Sequence, residues 1–106
     1  GGLVAAEKQF ENKVRMFLNS LPRQWHFKVF GNAFQQSGVP DLVGVLNGRF
    51  IALEVKSATG KASKLQEVII GKLQAAGAYA VVVSPNNWTD VQEELKNISN
   101  YGGFSI

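Results

Sequence analysis

The chain has no cysteine among its 106 residues. That excludes disulfides, cysteine-type zinc sites and a thiol nucleophile, and it fits a cytosolic setting. There is 1 histidine, His26. A Ser-His-Asp triad would have to run through it, and no G-x-S-x-G elbow surrounds a serine. No apolar run approaches the roughly 20 residues of a membrane span, and none reads as a signal peptide. Charge is sparse as well: 11 Lys and Arg stand against 8 Asp and Glu, a net charge of +3. So small a surplus does not by itself indicate nucleic acid. Its distribution matters more, because acids engaged with a cation leave the remaining surface more basic than the total suggests. A chain of this length is expected to fold as one domain, 1–106, with a modest core.

The most informative stretch is Gly38–Ser57, which reads as two short strands joined by Asn47-Gly48. A two-residue loop fixes the register. Leu46 then faces Arg49, Val45 faces Phe50, Val43 faces Ala52 and Asp41 faces Glu54. Side chains alternate along a strand, so Glu54 and Lys56 share a face. The hairpin therefore gathers Asp41, Glu54 and Lys56 into one cluster. Directly opposed residues have Cβ atoms roughly 5 Å apart, and like charges there destabilise a sheet. A divalent cation between the two carboxylates removes the conflict, and hard oxygen ligands suit Mg²⁺ or Mn²⁺. The plainer reading makes Asp41 a solvated strand-start residue and Glu54 and Lys56 an exposed pair on an edge strand.

Around the hairpin, residues 4–21 read as an amphipathic helix with Phe10, Val14, Phe17, Leu18 and Leu21 on its apolar stripe, and Pro22 just past its end. Glu7 and Glu11 lie on or beside that stripe, where an acid is costly unless paired or coordinated. Arg23–Phe30 reads as a strand, with Trp25, Phe27 and Val29 on one face and His26, Lys28 and Phe30 on the other. His26 reads as a surface or packing residue rather than a ligand. Gly31–Gly38 is a polar loop. Past the hairpin, Ala58–Ala62 is a loop carrying Lys61. Ser63-x-x-Gln66 is a capping box that opens a helix, with Leu65, Ile69, Leu73 and Ala76 on its core face and Gly77 at its end. Tyr79–Ser84 is a buried strand, which makes a βαβ unit with parallel strands. Thr89-x-x-Gln92 reads as a second capping box, for a helix with Val91, Leu95 and Ile98 inward. Gly102-Gly103 breaks the chain, and Phe104-Ser105-Ile106 reads as a short edge strand or a loosely packed end.

Pro40-Asp41 followed by Glu54-Val55-Lys56, in the string GVPDLVGV…GRFIALEVKS, resembles the PD-(D/E)XK nuclease superfamily, and within it the VRR-NUC branch and the archaeal-type Holliday junction resolvases. The resemblance runs from about Glu7 to Val83. It implies an α/β fold with a restriction-endonuclease-like αβββαβ core, a mixed sheet with a central hairpin flanked by helices. It implies a Mg²⁺- or Mn²⁺-dependent endodeoxyribonuclease that hydrolyses phosphodiester bonds in branched DNA such as four-way junctions. It further implies a homodimer, no small-molecule cofactor, and the cytoplasm of a bacterial or phage-infected cell.

In the metal site so implied, Asp41, Glu54 and the backbone carbonyl of Val55 bind the ion. An acid from the first helix, Glu11 in preference to Glu7, joins directly or through water. Lys56 takes the catalytic role of positioning and electrostatics, its cationic form favoured by the two acids. Gln66 borders the active site, a role compatible with its place in the capping box. Lys28, Lys61 and Lys64, with Lys72, are candidates for phosphate-backbone contacts, which are salt-sensitive and carry no sequence information. No base-reading module fits in the chain, so recognition by DNA shape is expected. Two other readings stay open: a nicking or restriction-type endonuclease with the same site, and a non-catalytic DNA-binding module that keeps the fold.

Overall fold

The computed structural model describes residues 2–30 and 38–102. The elements run α1 (Gly2–Ser20), β1 (Gln24–Lys28), β2 (Leu42–Leu46), β3 (Arg49–Val55), α2 (Lys64–Ala75), β4 (Tyr79–Val83) and α3 (Trp88–Tyr101). The strands form one sheet in the order β1-β2-β3-β4. β1 is antiparallel to β2, β2 antiparallel to β3, and β4 parallel to β3. The fold is mixed α/β.

The hairpin has the register its turn demands. Asn47 has φ 49° and Gly48 has φ 83°, the two positive values of a type I′ turn. Leu46 pairs with Arg49, Val45 with Phe50, and Val43 with Ala52. The turn is pinned from outside as well. Asn47 Nδ2 donates to the carbonyls of Ile98 and Ser99, both at 3.1 Å, and the Arg23 guanidinium also donates to Ser99. These carbonyls belong to the last turn of α3, where donors and positive charge are favourable. Between β1 and β2 the backbones approach so closely at Gly44 that an added Cβ would overlap the Trp25 carbonyl and His26 Cα. Only glycine fits there.

One face of the sheet carries Leu42, Leu46, Ile51, Leu53, Val55 and Val83. It packs against Phe10, Val14 and Leu18 of α1 and Trp88, Val91, Leu95 and Ile98 of α3. Phe10 and Phe17 meet the Trp88 ring edge-on at 5.7 and 5.3 Å. Each such aliphatic or aromatic side chain contributes about 1.5–3 kcal/mol by leaving water. The opposite face is covered by α2 over its β3–β4 half. There the small Ala52 and Ala80 let Ile70 approach, with Leu73, Val43 and Val82 around it. The rest of that face is open, with Trp25 and Phe27 of β1, Val45 of β2 and Phe50 near the start of β3 exposed on it.

Several local expectations are corrected. β1 is shorter than Arg23–Phe30 because Arg23 adopts φ 57°, a left-handed conformation that no strand continues through. Of its two faces, the one with Trp25 and Phe27 turns to solvent, and His26 turns inward. On α2 the inward residues are Ile70 and Leu73, whereas Leu65 and Ala76 are exposed. The helix is rotated so that Gln66 faces the sheet. The second capping box does not form, because α3 starts at Trp88 and Thr89 lies inside it. Asn87 holds the N-cap position, but its side chain is committed to the Ser84 N–H and the Val82 carbonyl, both at 2.9 Å. The polar loop at 31–37 and the short end strand at 104–106 lie outside the described residues.

Candidate active site

The site forms where the hairpin opens. Pairing of β2 with β3 ends at Leu42 and Leu53, since Pro40 has no N–H to carry the ladder further. The next β3 donor, the Val55 N–H, goes instead to Asp41 Oδ2 at 2.8 Å. That bond turns the Asp41 carboxylate toward β3. Glu54 continues the face of Phe50 and Ala52, which is the face α2 covers.

Glu54 is 2 % exposed. Its Oε2 receives two donors, Lys56 Nζ at 3.2 Å and Gln66 Nε2 at 3.1 Å. Its Oε1 is buried and has no hydrogen-bond partner among the described residues. Gln66 serves two ends at once. Its Oε1 accepts from the Ser63 N–H at 2.8 Å, completing the capping box that the sequence announces. One side chain thus makes both the capping-box bond and the contact with Glu54.

Burial, first, and then the charge of Asp41 push the Glu54 carboxyl up to about 8; Lys56 pulls the other way without offsetting them. Two carboxylates this close and this dry do not both stay charged unless something positive lies between them. In the bare protein the raised value keeps a proton on Glu54 at neutral pH. A divalent cation would do the same, and the Glu54 oxygen left for it is Oε1, which has no hydrogen-bond partner among the described residues. The residues present are thus compatible with a metal at this pair.

The remaining candidates are placed differently. Glu11 is 5 % exposed, and both of its oxygens accept from Lys28 Nζ, at 2.8 and 2.7 Å. Lys8 stands 3.8 Å from the same carboxylate. Lys28 pairs in register with Leu42, so this ion pair lies on the α1 side of the sheet and Asp41 and Glu54 on the other. Glu7 is half-buried on α1. Among the described residues no three His, Asp or Glu side chains converge to hold a metal; the acids that meet are Asp41 and Glu54. Lys61, Lys64 and Lys72 are exposed on α2 and the loop before it.

His26 packs rather than coordinates. Arg15 Nε donates to its Nε2 at 3.3 Å, and its Nδ1 meets Gln24 Oε1 at 2.9 Å, the pattern of a neutral ring protonated at Nδ1. Burial and the Arg15 charge lower its pKa, which keeps it neutral. The Glu11–Lys28 pair went unread in the sequence. Its only local trace is a lysine on the same strand face as a buried histidine. No family model and no curated protein matches the sequence.

Proposed function

We propose that the chain is a Mg²⁺- or Mn²⁺-dependent endodeoxyribonuclease of the PD-(D/E)XK type, with a VRR-NUC-like αβββαβ core. The observation that carries this reading is Glu54, a buried carboxylate held at one oxygen by Lys56 and Gln66, open at the other, and set against a second carboxylate. A purely structural sheet has no use for such a pair, which costs stability. The order α1-β1-β2-β3-α2-β4 supports the reading.

Asp41 and Glu54 would hold the ion, together with the Val55 carbonyl. The ion supplies an activated water and Lewis-acid stabilisation of the phosphate. Asp41 is oriented for that duty by the Val55 N–H. Glu54 is oriented by Lys56 and Gln66. The Lys56 ammonium holds the scissile phosphate or the attacking water and meets the charge that develops there. Glu11 is engaged with Lys28, so the ligand set rests on the acid pair. Lys28 is likewise committed, which leaves Lys61 and Lys64, with Lys72, to meet the phosphate backbone.

The favoured substrate is branched DNA such as a four-way junction, recognised by shape, and the setting is the cytoplasm. The active form is a homodimer. The open apolar face of Trp25, Phe27, Val45 and Phe50 supports a second copy packing there, because interface cores are rich in aromatic side chains and poor in charge.

The test is cleavage of a four-way junction, a flap and a linear duplex in Mg²⁺ or Mn²⁺ by wild type, Asp41→Asn and Lys56→Ala. Wild type is expected to cut the junction best. Asp41→Asn is expected to be inactive, and Lys56→Ala to lose rate while keeping Mn²⁺ affinity. Preferred cutting of linear duplex would favour the restriction-type alternative. No cleavage by wild type, or undiminished cleavage by Asp41→Asn, would overturn the proposal.

A further inference from the structure

We propose that Ser63 is a positioning residue: its backbone N–H, acting through the Gln66 side chain, fixes which oxygen of Glu54 is left open to a cation. The inference rests on the metal-site reading above. The Ser63 N–H can only donate, so Gln66 must turn its Oε1 toward it, at 2.8 Å. The other end of that amide is then Nε2, which can only donate, and it reaches Glu54 Oε2 at 3.1 Å. Lys56 donates to the same oxygen at 3.2 Å. Both donors converge on Oε2, and Oε1 is left without a partner among the described residues. If the amide were reversed, its carbonyl would press against a carboxylate oxygen and its NH₂ against an N–H. Both contacts would be unsatisfied. The relay therefore has one workable direction, and the direction is set at Ser63.

The two groups of Ser63 can be separated. Its Oγ accepts from the Gln66 N–H at 3.1 Å and serves the helix. Its N–H serves the relay. Ser63 has φ −71° and ψ 164°, a conformation open to proline. Ser63→Ala thus removes the cap oxygen and keeps the relay. Ser63→Pro removes both without forcing the backbone elsewhere.

Groups that orient a metal ligand typically matter about 10–100-fold in metal affinity. Calorimetric titration with Mn²⁺ and NMR of the Gln66 side-chain amide in the metal-free protein test the relay. Ser63→Ala is expected to lower Tm while leaving Mn²⁺ affinity within about twofold of wild type. Ser63→Pro and Gln66→Leu are each expected to weaken Mn²⁺ by about tenfold. The double variant should be no weaker than Gln66→Leu alone, because the two residues act in series. Without metal, the Gln66 amide protons should be sharp and exchange-protected in wild type and Ser63→Ala, and shifted or broadened in Ser63→Pro.

Additive losses in the double variant, or Gln66 resonances unmoved by Ser63→Pro, would overturn the relay. Should Ser63→Pro fail to fold, undiminished Mn²⁺ affinity in Gln66→Leu would overturn it equally. A wild type that binds no Mn²⁺ would instead overturn the proposed function, and the metal-free resonances would still decide the relay.

Discussion

Glu54→Gln should make the metal-free protein more stable, and increasingly so as pH rises. Glu54 titrates at about 8 in the fold against an ordinary 4.5. Between those values the folded state binds a proton that the unfolded state releases. The contribution of this group is therefore full below about 4.5 and lost as pH rises through about 8, opposite to a salt-bridged acid. At about 1.4 kcal/mol per pH unit, the interval sets a ceiling of about 5 kcal/mol. That is a large share of the roughly 5–15 kcal/mol typical of domain stability. The substituted amide would keep the shape, accept from Lys56 and Gln66, and offer an N–H toward Asp41. Urea unfolding in EDTA at about pH 5, 6.5 and 8 reads the difference. The variant should gain on wild type by about 3 kcal/mol or more between the extremes. Saturating Mn²⁺ should then return about 2.7 kcal/mol to wild type at a hundred times Kd, and nothing to the variant. A difference that stays flat across that range would refute the reasoning, for it would mean that Glu54 is an ordinary anion paired with Lys56.

Replacing Asn47-Gly48 by Val-Val strains both positive φ positions and removes the two Asn47 bonds to α3. Nuclease activity should vanish while far-UV circular dichroism persists, with a stability loss of about 3 kcal/mol. Lys28→Met strands the buried Glu11 carboxylate, and a loss of about 3 kcal/mol is expected at neutral pH, largely recovered in the Lys28→Met/Glu11→Gln double variant by chemical denaturation. An unaffected single variant would show that Glu11 reaches water. Trp25→Lys with Phe27→Lys should leave the fold intact and convert dimer to monomer in sedimentation velocity; a dimer that survives would place the interface elsewhere.

The hairpin was legible because its information is local. Asn47 and Gly48 select the turn, the turn sets the register, and counting from it gives the pairing as far as Leu42 and Leu53, the neighbours of Asp41 and Glu54. The stripe Phe10, Val14, Leu18 on α1 and the capping box Ser63–Gln66 were readable for the same reason: each is decided within one or two turns of chain. The rest depended on what packs against what. Alternation along Gln24–Lys28 separates two faces but does not say which one meets a helix. The polar face went inward because α1 brought Glu11 to Lys28 and Arg15 to His26. On α2 the apolar positions are spread so broadly that Leu65–Ile69 and Ile70–Leu73 are equally good stripes. Gln66 reaching Glu54 from a helix that spans half the sheet chose the second. The raised pKa of Glu54 is the clearest case. Its spacing from Asp41 is written in the chain, but the dryness that makes the pair costly comes from α2 lying over the sheet. Burial is a property of distant segments meeting, and no window of sequence contains it.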